Sequence, residues 1–204
     1  MTTRKLSKKF YQQETEELAK ALLGKRLVRV YKGQRISGII TETEAYLGIR
    51  DKACHTFGGR KTERTKSMYL EGGHAYVYLI YGMYNCFNVV SKTKEHPEAV
   101  LIRSLQPLES VSLMKKFRQQ TDERKLTTGP GKLCQALGID RKLDGESLTG
   151  HQIFFEDAND LGVRDLKPTQ IVASSRIGVD YAEEAASWPL RFYIKGNRFV
   201  SKPS

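Results

Sequence analysis

Within six residues, Thr41-Glu42-Thr43-Glu44-Ala45-Tyr46, the chain sets two carboxylates two positions apart and a phenol two positions further on. In extended backbone, side chains alternate between faces, so Glu42, Glu44 and Tyr46 share one side of a strand provided no bulge interrupts it. A carboxylate beside a phenol on one face can take a proton from water, steady a developing positive charge or orient a ligand. The plain alternative, for acids near a strand end in a basic protein, is an ion pair.

A second constellation follows at residues 75–90, AYVYLIYGMYNCFNVV, where Tyr76, Tyr78, Tyr81 and Tyr84 lie close to Asn85 and Asn88. Alternation puts Tyr76 and Tyr78 on one face, while Tyr81 falls at the turn Tyr81-Gly82-Met83. Tyrosine has high strand propensity, so such rings can simply cover a half-buried sheet. Their surroundings supply another reading. Arg50, Lys52, Arg60, Lys61, Arg64 and Lys66 precede the segment, and Lys115, Lys116, Arg118, Arg124, Lys125 and Lys132 follow it. Aromatic rings among basic side chains suit bases stacked beside phosphates. His55, in Asp51-Lys52-Ala53-Cys54-His55-Thr56, can face a ligand or sit solvated in a loop.

Several chemistries lack their motifs. Cys54-His55 has no partners at metal-ligand spacing, and His55, His74, His96 and His151 form no HxH or HxxxH pattern. His96-Pro97-Glu98 offers the HxE of a zinc deaminase, but no PCxxC follows. Thr128-Gly129-Pro130-Gly131-Lys132 has the wrong spacing for either glycine-rich phosphate motif, although it can hold a phosphate at a helix start.

These residues need elements to position them. Leu18, Ala21 and Leu22 predict a short amphipathic helix over residues 14–23, stopped at Gly24. RLVRVY and RISGIITE around Lys32-Gly33-Gln34 predict a hairpin that delivers Glu42, Glu44 and Tyr46. Residues 47–67 read as a basic loop with no core element. The tyrosine segment supplies two strands, and AVLIRSL a third. Pro107 and Glu109 open a second helical pattern through Val111, Leu113, Met114 and Phe117, and a third runs from Pro130 to Gly138. QIFF, QIVAS and RFYI read as strands, with a helix-like YAEEAAS before Trp188-Pro189.

At 204 residues, without repeats or linkers, the chain is expected to form a single mixed α+β domain. Its 34 lysines and arginines against 23 acids give a net charge of +11, which favours polyanionic partners. With 39% hydrophobic residues and no long apolar run, neither a membrane span nor a disordered chain is expected. No secretory signal is visible, and Cys54, Cys86 and Cys134 form no disulfide framework, so a reducing cytoplasm is the expected setting.

In this order, TETEAYLG (41–48), AYVYLIYGMYNCFNVV (75–90), LIRSLQPLE (101–109), GPGKLCQALGI (129–139), SRIGVDYA and WPLRFY resemble one family, the alkyladenine (3-methyladenine) DNA glycosylases first known from mammals. The resemblance runs almost from end to end, and the short N-terminus suits a bacterial member. It implies a curved antiparallel sheet or open barrel with surrounding helices and a protruding tyrosine hairpin. It also implies a monofunctional enzyme, without metal or organic cofactor. Such an enzyme flips a damaged purine of the 3-methyladenine, 7-methylguanine, hypoxanthine and ethenoadenine class out of duplex DNA and hydrolyses its N-glycosidic bond, leaving an abasic site.

Carried over residue by residue, the resemblance implies that Glu44 is the general base and that Arg103 helps hold the attacking water. The carbonyl of Ile177 would complete the water site. Tyr46, His55 and Tyr78 would sandwich and orient the base, Asn88 would exclude a guanine amino group, and Tyr81 would fill the vacated stack. Arg60 and Lys132 are expected phosphate contacts. The expected partner is double-stranded DNA containing damaged purines, bound by a monomer in the bacterial cytoplasm at the nucleoid, with no membrane. Two rivals remain open. One is a non-catalytic nucleic-acid-binding module, for which charge and tyrosines suffice. The other is a nuclease or RNA-processing enzyme that binds Mg²⁺ through Glu42 and Glu44.

Overall fold

The computed structural model describes residues 4–158 and 166–202. Strands β1 (Arg26–Tyr31) and β2 (Gln34–Tyr46) form the expected hairpin, turned by Lys32 and Gly33, both at positive φ. β3 (Ala75–Ile80) and β4 (Tyr84–Val90) form the tyrosine hairpin. β5 (Ala99–Glu109), β6 (Ile153–Glu156), β7 (Ile171–Ser174) and β8 (Arg191–Ile194) complete the one antiparallel sheet of an α+β fold, in the order β3-β4-β5-β2-β1-β6. β8 pairs with both β2 and β7.

β2 is the spine. One of its edges is shared by β1, along residues 34–39, and β8, along residues 42–44, while β5 lies on the other. Register against β5 shifts at Ser37/Gly38, Ile40/Glu42 and Glu42/Thr43. Such bulges bend a strand and increase its twist, and here they let two neighbours divide one edge as the sheet curls.

Helices α1 (Lys8–Tyr11), α2 (Thr15–Leu22), α3 (Val111–Arg118) and α4 (Pro130–Leu137) surround this sheet. Leu18 and Leu22 of α2, with Leu133 and Leu137 of α4, join Ile40, Phe87, Ile102, Phe155 and Phe192 in a continuous buried cluster. The Thr43 hydroxyl adds a hydrogen bond to the Ala19 carbonyl, fixing α2 across β2.

Three expectations need correction. Pro107 and Glu109 do not open a helix, because β5 runs through them, opposite Gly38 and Ser37. β4 covers only residues 99–101 of β5, so the missing proline N–H faces no neighbouring strand. The helix starts after Ser110, whose φ of 57° breaks the strand. Residues 47–67 are not free of core. Asp51, Ala53, Cys54, Thr56, Thr65 and Ser67 are buried, because backbone turns and Asp51 satisfy the segment's polar groups internally. YAEEAAS lies in a broken 3₁₀ segment, with Glu183 at φ 53°.

Gly72 is a position of close approach. A Cβ there would stand 2.5 Å from the Lys92 carbonyl oxygen and 2.7 Å from that of Tyr11, both backbone atoms. Gly72→Ala is expected to destabilise the fold by about 1–3 kcal/mol through overpacking, read as a lower thermal midpoint.

Candidate active site

Period-two alternation divides the sheet into two working faces. Ala75 and Val77 of β3, Phe87 and Val89 of β4, Val100 and Ile102 of β5, and Ala45 of β2 enter the main core. Their alternating neighbours turn the other way. Register pairs Tyr76 with Asn88, Asn88 with Leu101, Leu101 with Glu44, and Glu44 with Arg191. A single cross-strand row therefore carries a phenol, an amide, a carboxylate and a guanidinium over the back of the hydrophobic core.

Above this row opens a cavity of about 700 Å³, a ligand-sized volume. Tyr46, His55, Tyr78, Asn88, Arg103 and Ile177 line it. Tyr81 stands at its edge, 83% exposed, on a turn where Tyr81 and Gly82 both take positive φ and Met83 N–H donates to the Ile80 carbonyl. A tyrosine in left-handed backbone costs free energy, and here that conformation presents the ring to solvent. Lys132 lines the cavity from the first turn of α4, whereas Arg60 is exposed outside its wall.

Glu44 is fully buried behind three of the lining residues. Its Oε1 accepts from the Ile177 N–H at 2.8 Å and pairs with an Arg103 terminal nitrogen at 3.1 Å, while Oε2 accepts from the Tyr46 hydroxyl at 2.8 Å. Glu42, two residues earlier, is equally buried. It accepts from Arg103 Nε and Arg191 at 3.0 Å each, and from the Ser201 N–H at 2.7 Å. Both carboxylates thus meet Arg103 despite the local register shifts. The ion-pair reading describes Glu42 fully, whereas Glu44 is an ion pair directly behind Tyr46, Arg103 and Ile177, which line the cavity.

Burial and charge set the protonation states. Burial opposes the Arg103 charge, but the Glu44 and Glu42 carboxylates outweigh it, and the guanidinium is held above its usual range. Burial, reinforced by Glu44, pushes the Tyr46 phenol well above its ordinary value, so it remains a donor. Burial likewise pushes up Tyr78. Arg64 donates to His55 Nε2 at 3.3 Å, and a guanidinium has only donors, so Nε2 is the acceptor and Nδ1 carries the hydrogen toward the Tyr76 hydroxyl at 2.8 Å. Burial, then the charges of Arg64 and Arg60, push the imidazole down to about 4. His55 meets Tyr78 edge to face at 4.6 Å between ring centres.

The Tyr46 plate is clamped from behind. Arg176 places its guanidinium 4.8 Å from that ring's centre, bonds both Asp51 oxygens at 2.5 and 2.9 Å, and donates to the Ala45 and Ala185 carbonyls. Asn88 is fixed too, its Nδ2 donating to the Tyr76 carbonyl at 3.0 Å. Sequence reasoning missed Asp51, Arg176 and Arg191, and used Glu42 only as a companion acid. Arg191 leaves a signal, a charged residue between Leu190 and Phe192 in a strand, but Arg176 has none without the fold. Among the described residues, no three His, Cys, Asp or Glu side chains stand together as metal ligands, and no helix is long and apolar enough to cross a membrane.

Residues 9–198 match the family described as Methylpurine-DNA glycosylase (MPG). A protein of Bdellovibrio bacteriovorus is 51% identical over 202 residues, covering 97% of this chain and 98% of its own. A Clostridium novyi protein is 47% identical over 207 residues, covering 98% and 99%, and one from Bacillus cytotoxicus is 47% identical over 202 residues, covering 95% and 97%. Each of these three carries the name "Putative 3-methyladenine DNA glycosylase".

The depressed His55 has a measurable consequence. Between its ordinary 6.5 and about 4, the unfolded chain binds this proton and the folded chain does not, so stability falls as pH falls through that window. The His55 ring is expected to titrate near pH 4 by NMR, and His55→Asn to flatten the acid limb of the stability curve between 6.5 and 4.

Proposed function

We propose, on the premise that this chain belongs to the methylpurine-DNA glycosylase family, that it receives a damaged purine from duplex DNA in the Tyr46–Tyr78 cavity and hydrolyses its N-glycosidic bond with water activated by Glu44. The chain is a DNA-3-methyladenine glycosylase, a hydrolase of alkylated-base repair. The observation that supports the mechanism best is the buried Glu44 carboxylate, held by Arg103, Tyr46 and Ile177 at the wall of an aromatic cavity.

Glycosidic cleavage develops positive charge on the sugar, so a carboxylate near C1′ stabilises the transition state. Water attacks C1′ as the bond to the purine nitrogen breaks. The bonding pair leaves with the base, and the proton from water passes to Glu44. A purine alkylated at N3 or N7 is cationic and departs neutral, so it needs no acid. Arg103 orients the carboxylate from one side and Ile177 from the other. Ile177 makes its observed contact through N–H, which leaves its carbonyl for the water. Tyr46 on one side, with His55 and Tyr78 on the other, would stack the base, and Asn88 would crowd a guanine amino group. The exposed Tyr81 would fill the stack that the extruded nucleotide leaves. Lys132 at the cavity and the exposed Arg60 would meet phosphates.

This work is assigned to one glycosylase domain spanning residues 1–204, acting as a monomer on chromosomal DNA in the bacterial cytoplasm. The Mg²⁺ reading has less support, because Arg103 and Arg191 already neutralise Glu42 and Glu44, and a divalent cation there would meet both guanidinium groups.

With a labelled duplex containing hypoxanthine, in EDTA, Glu44→Gln is expected to lower excision about 100-fold or more while duplex binding persists. Strand breaks should appear only after alkali. Wild-type excision by Glu44→Gln would overturn the general base, and nicking without alkali would overturn the monofunctional reading. Tyr81→Ala is expected to weaken lesion binding about tenfold, the scale of one lost aromatic stack, measured by fluorescence of an extruded base analogue.

A further inference from the structure

Two arginines lie over the tyrosine rings of this cavity, and their charges are not equivalent. Arg176, over Tyr46, is neutralised by both oxygens of Asp51. Arg64 lies over Tyr78 with its guanidinium carbon 5.1 Å from the ring centre, and donates to His55 Nε2 at 3.3 Å. Among the described residues Arg64 forms no ion pair with a carboxylate, and the neighbouring Glu63 is paired instead with Lys66. The wall made by His55 and Tyr78 therefore bears an uncompensated positive charge.

Damaged purines divide by charge. Alkylation at N7 leaves a cationic base, whereas deamination of adenine to hypoxanthine leaves a neutral one. A tyrosine face attracts a cation, and on that ground alone the cavity would favour the alkylated base. The Tyr78 face already holds a guanidinium, however, and although Arg64 is exposed, it stands 5.1 Å from the ring centre, so a second cation against that ring meets like-charge repulsion within the Debye length of about 8 Å at physiological salt. We propose that Arg64 is a specificity-determining residue that penalises positively charged purines relative to neutral ones, through a guanidinium held against His55 and Tyr78. The inference rests on the reading that this cavity receives the damaged purine. It reverses the charge preference that aromatic walls by themselves would give. The neutral state of His55 accords with it, since a charged imidazole would set two cations side by side.

The test compares single-turnover excision, in EDTA, of 7-methylguanine and of hypoxanthine from otherwise identical duplexes by the wild type, Arg64→Gln and Arg64→Lys. Arg64→Gln is expected to raise the ratio of 7-methylguanine to hypoxanthine excision about tenfold, and Arg64→Lys, which keeps the charge, to stay near the wild-type ratio. The His55 titration should move up in Arg64→Gln, with burial still holding it below its ordinary value, and stay low in Arg64→Lys, so that the titration and the excision ratio follow the charge at position 64 together. An unchanged ratio overturns the proposal. So does an equal loss on both lesions with a flatter salt dependence, which would make Arg64 a phosphate contact. Excision of neither lesion by the wild type would overturn the underlying base-excision reading instead.

Discussion

Four charges meet under the surface of the sheet where β2 bends. Glu42 and Glu44 face Arg103 from β5, and Arg191 from β8 closes the group. Taking such charges out of water costs several kcal/mol each, and mutual attraction compensates only when the geometry is close and the remaining donors and acceptors are satisfied. Here they are. Glu42 takes three donors and Glu44 takes three, with backbone N–H groups of Ser201 and Ile177 completing the sets. The bend in β2, the insertion of β8 beside β1 and the docking of the C-terminal segment all serve this arrangement. Any one of them displaced would leave a carboxylate buried without its partners.

The cluster also separates two roles that look alike in the sequence. Glu42 is consumed by structure, since its acceptor contacts go to Arg103 of β5, Arg191 of β8 and the Ser201 N–H of the C-terminal segment. Glu44 holds the same arginine from one side but meets the Tyr46 phenol and the cavity wall on the other. The arginine that balances both acids keeps Glu44 in place with no flexible loop between. Pairing with β5 on one side and β8 on the other makes this a preorganised carboxylate, the form in which electrostatic stabilisation is most effective because little must reorganise during reaction.

Around the carboxylate, the cavity is shaped by aromatic plates whose far sides are occupied. Arg176 and Asp51 hold Tyr46 in place, and His55, Tyr76 and Tyr78 pack against one another in another part of the wall. The segment at residues 47–67 builds much of this. It is polar enough to read as a surface loop, yet Asp51 folds it inward by accepting from the Leu47 and Ala53 N–H groups while meeting Arg176. Burial that would otherwise be prohibitive for its polar backbone becomes affordable because the segment satisfies itself.

The sequence by itself determined the hairpins β1–β2 and β3–β4 and the helices over residues 14–23 and 130–138, while it placed Glu42, Glu44 and Tyr46 on one face only for a regular strand, and β2 is bulged at Ile40/Glu42 and Glu42/Thr43. It did so because side-chain period and turn residues are local properties. It also showed the tyrosine hairpin and its exposed turn, since Tyr81-Gly82 interrupts the alternation at a turn. What it did not show were the partners of the site: Asp51 with Arg176, Arg191 with Glu42, and Arg64 with His55. The first two pairs are 125 and 149 residues apart in the chain, and Arg64 reaches His55 only through the fold of its loop. Only the tertiary structure decided them, because Coulomb interactions and burial depend on distance in space, and the curl of the sheet sets those distances.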